Sequence, residues 1–283
     1  MAGRREAGAR RVVLDVDTGI DDALAILYAT SSPELELCGV TTVVGNVPAD
    51  VAARNSAAVL SHVGAGHVPV AVGASRTTAG SGPRAGPTNH GADGLGGVRV
   101  PAGPDPLRSG GAESVVRSAR AGGAVTLVGL APMTNVATLA SAADDLVLVA
   151  GELAVEEPAE FNAGHDPAAA ARVLAADRPT TLYVVDVFER VSAGERDVDR
   201  LRTSGRPAAR LAGELLAVRR AHLIGDAGAL VLLTHPHLFR VEPGRFGVIG
   251  DHLTATESGH PIDVVVDVDA RAVVEAFVDV LLS

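Results

Sequence analysis

The sequence predicts an α/β domain with a mostly parallel central β-sheet flanked by helices. Three observations carry that prediction. Short apolar runs alternate with Ala-rich helical patterns along most of the chain, the rhythm of a parallel sheet whose crossovers are helices. The 283 residues, 47% of them hydrophobic, supply a core for one large domain and argue against global disorder. No composition break, internal repeat or coiled-coil pattern marks a second domain anywhere in residues 1–283.

The elements follow in order. Residues 12–14 read as a buried strand, 21–29 as a helix, 35–44 as a strand, 49–63 as a helix and 68–72 as a short strand. A strand at 124–130 precedes a helix from Met133, and a strand at 146–150 precedes a helix at 167–176. A strand at 181–185, a helix at 208–221, a strand at 263–268 and a helix at 271–282 complete the pattern. Residues 1–10 are expected to be disordered. Residues 73–111, crowded with Gly, Pro, Ser and Arg, break the rhythm. A loop that long inside a compact domain is usually functional.

Composition excludes several function classes. The formal net charge is −10, with no basic patch and no aromatic-interleaved basic run, which argues against nucleic acid as a partner. A lone Cys38 excludes an internal disulfide and fits a reducing, cytoplasmic compartment. The apolar runs are short and broken by charges, so no membrane span is expected. Aromatics make up only 2%, and lysine is absent. The core is therefore expected to be Ala, Val and Leu.

The strongest local signal is Leu14-Asp15-Val16-Asp17-Thr18-Gly19-Ile20-Asp21-Asp22-Ala23, four carboxylates where a strand ends and a helix begins. Gly19 is expected to permit a tight turn. Packing so many acids together is costly unless a cation binds, and carboxylate oxygens suit Ca²⁺ or Mg²⁺. Capping of the helix start explains Asp21 and Asp22, but not Asp15 and Asp17, which close a buried strand. Asp-x-Asp after an apolar strand also opens the haloacid-dehalogenase-like Mg²⁺ phosphotransferases. That family places Thr two residues after the second Asp and relies on a Lys. Here Thr18 follows Asp17 directly and no Lys exists.

Taken whole, Asp15 to Ala23 resembles the opening signature of the inosine–uridine nucleoside hydrolases, Asp-x-Asp-x-Gly-x-Asp-Asp-Ala. Further segments resemble that family in the same order: Thr41-Thr42-Val43-Val44-Gly45-Asn46, His90-Gly91-Ala92-Asp93-Gly94, Leu130-Ala131-Pro132-Met133-Thr134-Asn135-Val136-Ala137, Ala159-Glu160-Phe161-Asn162 with Asp166-Pro167, and the late Asp226. The resemblance implies a nucleoside hydrolase-like, Rossmann-like open sheet. It implies hydrolysis of the N-glycosidic bond of ribonucleosides to ribose and free base by a Ca²⁺-bound water, and a homodimer or homotetramer.

Carried over by position, Asp17, Asp22, the Leu130 carbonyl and Asp226 would hold Ca²⁺, with Asp17 also taking a proton from the water. Asp21, Asn46, Glu160 and Asn162 would bind ribose hydroxyls, Asp15 would support them from behind, and His90 would lie near the nucleobase. Read without the resemblance, Asp226 could cap a helix starting at Ala227, Glu160 and Asn162 could cap the helix after Pro167, and His90 could be a solvated loop residue.

The pattern departs from the family in two places. Members often carry His immediately before the late Asp, where this chain has Gly225; His222 is a candidate substitute. Many also carry an Asn before Ala-Glu-Phe-Asn, and residues 152–158 contain none. These departures keep open a second reading, a non-catalytic or repurposed calcium-stabilised nucleoside or sugar binder.

Overall fold

Strand β1 (Arg10–Val16) is the axis of the fold. Val12, Val13, Leu14 and Val16 have no exposed surface, as expected of a strand covered on both faces. The structure, a computed structural model, describes residues 8–85, 89–107 and 111–283. The other strands are β2 (Leu35–Thr42), β3 (Val70–Val72), β4 (Thr126–Gly129), β5 (Asp145–Val149), β6 (Thr180–Tyr183), β7 (Phe239–Ile249), β8 (His252–Ala255) and β9 (His260–Val268). They form one nine-stranded sheet in the order β3-β2-β1-β4-β5-β6-β9-β7-β8. From β3 to β9 every pairing is parallel; β7 runs antiparallel to both β9 and β8. This is the single α/β domain the alternation predicts.

Topology sets the position of the site. The chain leaves β1 for β2 and β3 on one side and returns to β4 on the other. Asp15, near the end of β1, lies between Thr41 of β2 and Gly129 of β4, and its carbonyl accepts the Leu130 N–H at 2.8 Å. Such a reversal of strand order opens a crevice at the carboxyl ends of the strands. Asp17 and Leu130 are the residues that emerge there.

The helix Ile20–Ser31 starts at that crevice and is buried on every side from Ile20 to Ala29. A helix that is apolar all round belongs in a core. Its Tyr28 ring stacks on Phe277, centroids 5.9 Å apart, and the Tyr28 hydroxyl meets Thr234 Oγ1 at 2.7 Å. Val, Ala and Leu dominate the core as expected, yet Tyr28, Tyr183 and Phe277 are among its largest fully buried side chains. Burying a large apolar side chain contributes about 1.5–3 kcal/mol.

The structure corrects the predicted elements in several places. Arg10 is already in β1, so the expected disordered stretch 1–10 is too long; residues 1–7 lie outside the described residues. The predicted strand 35–44 ends at Thr42 and 181–185 at Tyr183; Val185 opens the short helix Val185–Phe188. The helix expected from Met133 is the single turn Val136–Leu139. Helices Gly111–Ala121 and Glu195–Arg202 and the antiparallel β7–β8 pair were not predicted. β7 reads FRVEPGRFGVI, with Pro and Gly inside it and mostly partly exposed or exposed side chains, and so lacks the apolar run or clean alternation that announces a strand. The described residues of the Gly-rich region 73–111 hold no regular element before Gly111, apart from Leu107 bridging Ala71; within it, 86–88 and 108–110 lie outside the described residues.

Candidate active site

The acid cluster forms a buried floor. Asp15, Asp17, Asp21 and Asp22 are each 5% exposed or less, and Asp226, 204 residues from Asp22 in sequence, is 4% exposed. Oxygens of Asp21, Asp22 and Asp226 lie within 4.8 Å of one another. Asp22 spends Oδ2 on the Gly19 N–H at 2.7 Å, capping its helix, while its Oδ1 is buried without a partner. Asp21 Oδ1 and Asp15 Oδ2 are likewise buried without a hydrogen-bond partner, and His90 Nδ1 lies 3.5 Å from Asp21 Oδ1. Burial and mutual repulsion push the carboxyls of Asp22 and Asp226 well above the usual range. A buried group of carboxylates with unpaired oxygens and no lysine fits a hard divalent cation.

Asp17 is held differently. Its Oδ2 accepts the Asn46 backbone N–H at 2.6 Å and its Oδ1 the Asn46 Nδ2–H at 3.0 Å. Burial, reinforced by the Asp21 charge and opposed by the Asn46 bonds, leaves its carboxyl at about 7. Asp15 lies behind, accepting Thr41 Oγ1–H at 2.6 Å and Asn135 Nδ2–H at 2.8 Å on one oxygen, and burial raises it to about 7.

Above this floor opens a cavity of about 760 Å³. Asp21, Asn46, His90, Leu130, Glu160, Asn162 and Asp226 all line it. Asp17 and Asp22 are buried next to that lining. Glu160 caps the helix Phe161–His165, accepting N–H groups from Gly151, Asn162 and Ala163 at 3.0, 2.7 and 3.0 Å. Burial nevertheless raises its carboxyl above the ordinary value. Asn162 directs Nδ2 to the carbonyls of Val149 (2.8 Å) and Leu130 (3.2 Å). Neither caps the helix after Pro167; Asp166 does, and it also accepts Thr78 N–H and Oγ1–H and Thr134 Oγ1–H, tying the Gly-rich loop to the sheet. The Asp226 side chain makes no cap to Ala227 and its helix.

The opposite wall holds residues that sequence reasoning missed. Arg219, just past the helix Pro207–Val218, is 6% exposed; its Nη2–H donates to Asp21 Oδ2 at 2.7 Å. Burial opposes ionisation of Asp21, yet this guanidinium holds its carboxyl below the usual range. Arg219 Nη1 lies 3.3 and 3.5 Å from the two ring nitrogens of His90. His90 is buried, not solvated, and its Nδ1 accepts the Ile20 backbone N–H at 3.0 Å. Burial lowers the tendency of its imidazole to protonate. Gly19 serves this packing and not a tight turn: its φ is −83°, and a Cβ there would lie 2.5 Å from His90 Nδ1.

Gly225 has φ +56°, and a Cβ there would lie 2.6 Å from Asp21 Cβ. No side chain fits, which accounts for the missing histidine. His222 does not line the cavity; Arg219 and Arg220 do. Nothing local in the sequence signals Arg219, because its partners Asp21 and His90 stand 198 and 129 residues away.

Residues 12–275 match the sequence model of the inosine-uridine preferring nucleoside hydrolases. The chain is 33% identical to uridine nucleosidase 1 of Arabidopsis thaliana, over 66% of this chain and 60% of that protein. It is 31% identical to the pyrimidine-specific ribonucleoside hydrolase RihA of a Shewanella strain, over 85% of this chain and 82% of the relative. In fold it is similar to a solved plant nucleoside hydrolase, PpNRh1 (TM-score 0.88, 22% identity, 97% and 99% of the two chains covered). It is similar too to the purine-preferring ribonucleoside hydrolase of Gardnerella vaginalis (TM-score 0.85, 24% identity, 96% and 98% covered). The motif order, the acid floor and the match across nearly the whole sequence agree: the chain belongs to the inosine-uridine preferring nucleoside hydrolase family.

Proposed function

We propose that the chain hydrolyses the N-glycosidic bond of ribonucleosides, releasing ribose and the free base. The observation that carries this reading is the meeting of Asp21, Asp22 and Asp226, with Asp21 Oδ1 and Asp22 Oδ1 buried and without hydrogen-bond partners, at the floor of a cavity also lined by Asn46, Glu160 and Asn162. Asp22 and Asp226, with Asp17 and the Leu130 carbonyl, would hold Ca²⁺. A bound Ca²⁺ supplies positive charge that orients a water and makes it more acidic.

The chain's own residues do the rest. Asp17, fixed by its two bonds from Asn46, takes the proton of the attacking water. Asp21 offers Oδ1, which has no hydrogen-bond partner, to a ribose hydroxyl while Arg219 holds Oδ2. Asn46 and Asn162 set the edge of the sugar site. The surrounding carboxylates, Glu160 among them, favour the positive charge that develops on the ribosyl ring as the bond breaks. Demanding both vicinal hydroxyls selects ribose over deoxyribose, because a buried acceptor left unpaired is penalised. The names of the relatives above, uridine nucleosidase and pyrimidine-specific hydrolase, favour pyrimidine ribonucleosides.

A reducing-sugar assay over purine and pyrimidine ribonucleosides tests the reading, with Asp17→Ala as control. Ribose release is expected from wild type and not from the variant, whose circular dichroism stays native. Full activity in Asp17→Ala would remove that residue from the role. The absence of a side chain at position 225 favours one other reading, a nucleoside or sugar binder without turnover. Calorimetric binding of uridine and inosine with no ribose formed would select it.

A further inference from the structure

The cavity wall beside Glu160 is set by β8, a strand the sequence does not announce. Gly151 lies just past β5 with φ +77°, and a Cβ there would lie 2.8 Å from the Leu253 carbonyl oxygen, so this glycine lets β8 approach. The Glu152 N–H then donates to the Leu253 carbonyl at 3.0 Å, and Thr254 Oγ1–H to the Glu152 carbonyl at 3.1 Å. The next two residues are held as well: the Leu153 and Ala154 N–H groups donate to the Asp186 carboxylate at 2.7 and 3.3 Å. Glu152 is thereby fixed in the cavity lining and is 3% exposed. The Gly151 N–H donates to Glu160 at 3.0 Å, and the Glu152 charge opposes ionisation of Glu160. The two carboxyls are neighbours.

His252 of β8 holds the Glu152 carboxyl. Its Nδ1 pairs with Glu152 Oε1 and its Nε2 with Glu157 Oε1 at 3.2 Å. The bond to Glu152, and then that to Glu157, raises the imidazole above its ordinary value, as a cation between two carboxylates requires. Glu152 Oε2 accepts no hydrogen bond from any described residue and is left to the cavity that Glu152 lines. Each oxygen of Glu160, by contrast, already accepts a backbone N–H. The ribose of a nucleoside has three hydroxyls. The vicinal pair goes to the floor, which leaves the one on C5′ for an acceptor in the wall beside the sugar.

We propose that Glu152, held by His252, binds the C5′ end of the substrate as an acceptor-only site, so that ribonucleosides with a hydroxyl or a protonated amine on C5′ are taken. The inference rests on the reading above that ribose lies over the acid floor. An ionised carboxylate donates nothing, so a C5′ group without a proton to give leaves Oε2 covered and unpaired. A C5′ ammonium gains a charge-assisted bond. His252 is a positioning residue that acts through Glu152.

Uracil release from uridine, 5′-deoxyuridine and 5′-amino-5′-deoxyuridine tests this. Wild type is expected to favour both uridine and the amine over 5′-deoxyuridine by about 10–100-fold in kcat/KM, the scale of a hydrogen bond to a charged group. Equal turnover of the three overturns the proposal. In Glu152→Ala the gap between uridine and 5′-deoxyuridine should close to less than about 3-fold, and an undiminished gap overturns it. Glu152→Gln, which keeps the shape and loses the charge, should lose more on the amine than on uridine. His252→Gln should raise KM for uridine, with kcat held and 5′-deoxyuridine unaffected. Equal losses on both substrates would make His252 a structural tie and overturn its part.

Calorimetry in CaCl₂ with methyl β-D-ribofuranoside and its 5-deoxy form, which carry no base, reads binding without turnover. The 5-deoxy form should bind at least about 10-fold more weakly, and equal affinities overturn the proposal. A wild type that releases uracil but shows none of these differences keeps the hydrolase reading and loses this one. A wild type that releases no uracil yet shows the calorimetric difference loses the hydrolase reading and keeps this one.

Discussion

The floor and the far wall of the cavity are built in opposite ways. The floor is local: Asp15, Asp17, Asp21 and Asp22 come from one strand end and one helix start, and a single distant residue, Asp226, completes it. The wall is assembled from afar, with His90 from the Gly-rich loop, Arg219 from beyond a helix end, and Gly225 whose left-handed backbone lets Asp21 approach. The floor is a concentration of like charge, costly to bury unless a cation joins it. The wall already contains its own cation, Arg219. On the reading proposed above, the floor is the side that would take the metal and the sugar.

Removing Asp226 should break the floor most completely. Asp226→Asn is expected to weaken Ca²⁺ binding by more than the 10–100-fold typical of a supporting residue, and to abolish ribose release. Isothermal titration with CaCl₂ and the reducing-sugar assay check both; unchanged affinity would remove Asp226 from the cation site.

Filling position 225 should disturb the wall next. Gly225→Ala meets Asp21 at 2.6 Å and requires φ +56° of a non-glycine residue, a cost of about 1–3 kcal/mol. Urea unfolding should show it, and uridine turnover should fall as Asp21 is displaced. A neutral outcome would mean that Asp21 has more room than the packing shows.

The floor also predicts a pH dependence of the metal-free protein. The carboxyls of Asp15 and Asp17 titrate near 7 in the folded chain against an ordinary 3.8, and those of Asp22 and Asp226 are raised too. Between about 4 and 7 the folded state therefore binds more protons than the unfolded state, and stability falls as pH rises, by up to about 1.4 kcal/mol per pH step of one for a single carboxyl such as that of Asp15. Thermal unfolding in chelator should give a lower Tm at pH 8 than at pH 5.5. Added Ca²⁺ should raise Tm more at pH 8, because it binds the ionised form. A Tm independent of pH and of Ca²⁺ would contradict the cation reading of the floor.

The smallest effect is expected at Asp166, which joins the loop at Thr78 to Thr134 and caps the helix Pro167–Leu174. Asp166→Ala should cost about 0.5–2 kcal/mol and increase proteolysis in the Gly-rich loop. No change in either would detach that loop from the sheet.

How much of this is legible in the sequence follows the same division. The parallel half of the sheet shows as apolar runs because its strands are covered on both faces, and the acid floor shows because its residues are contiguous. β7 and β8 are hidden because an antiparallel edge with many exposed side chains carries no apolar run. Glu160 and Asn162 are visible as a motif, but not their bonds to backbone groups of Gly151 and Val149, which exist only once the strand ends converge. Gly225 is visible as a departure, while its reason lies in the approach of Asp21. Arg219 leaves no trace, since an arginine after an apolar helix reads as a solvated end until its burial is known.

The central claim, that this acid floor hydrolyses ribonucleosides with a bound cation, is tested most directly by uridine turnover followed against free Ca²⁺, with thermal shift measured in the same titration. Ribose release and Tm are expected to rise together over one concentration range, and both to collapse in chelator. Full-rate cleavage in chelator, or no ribose at saturating Ca²⁺ while Tm rises, would contradict it.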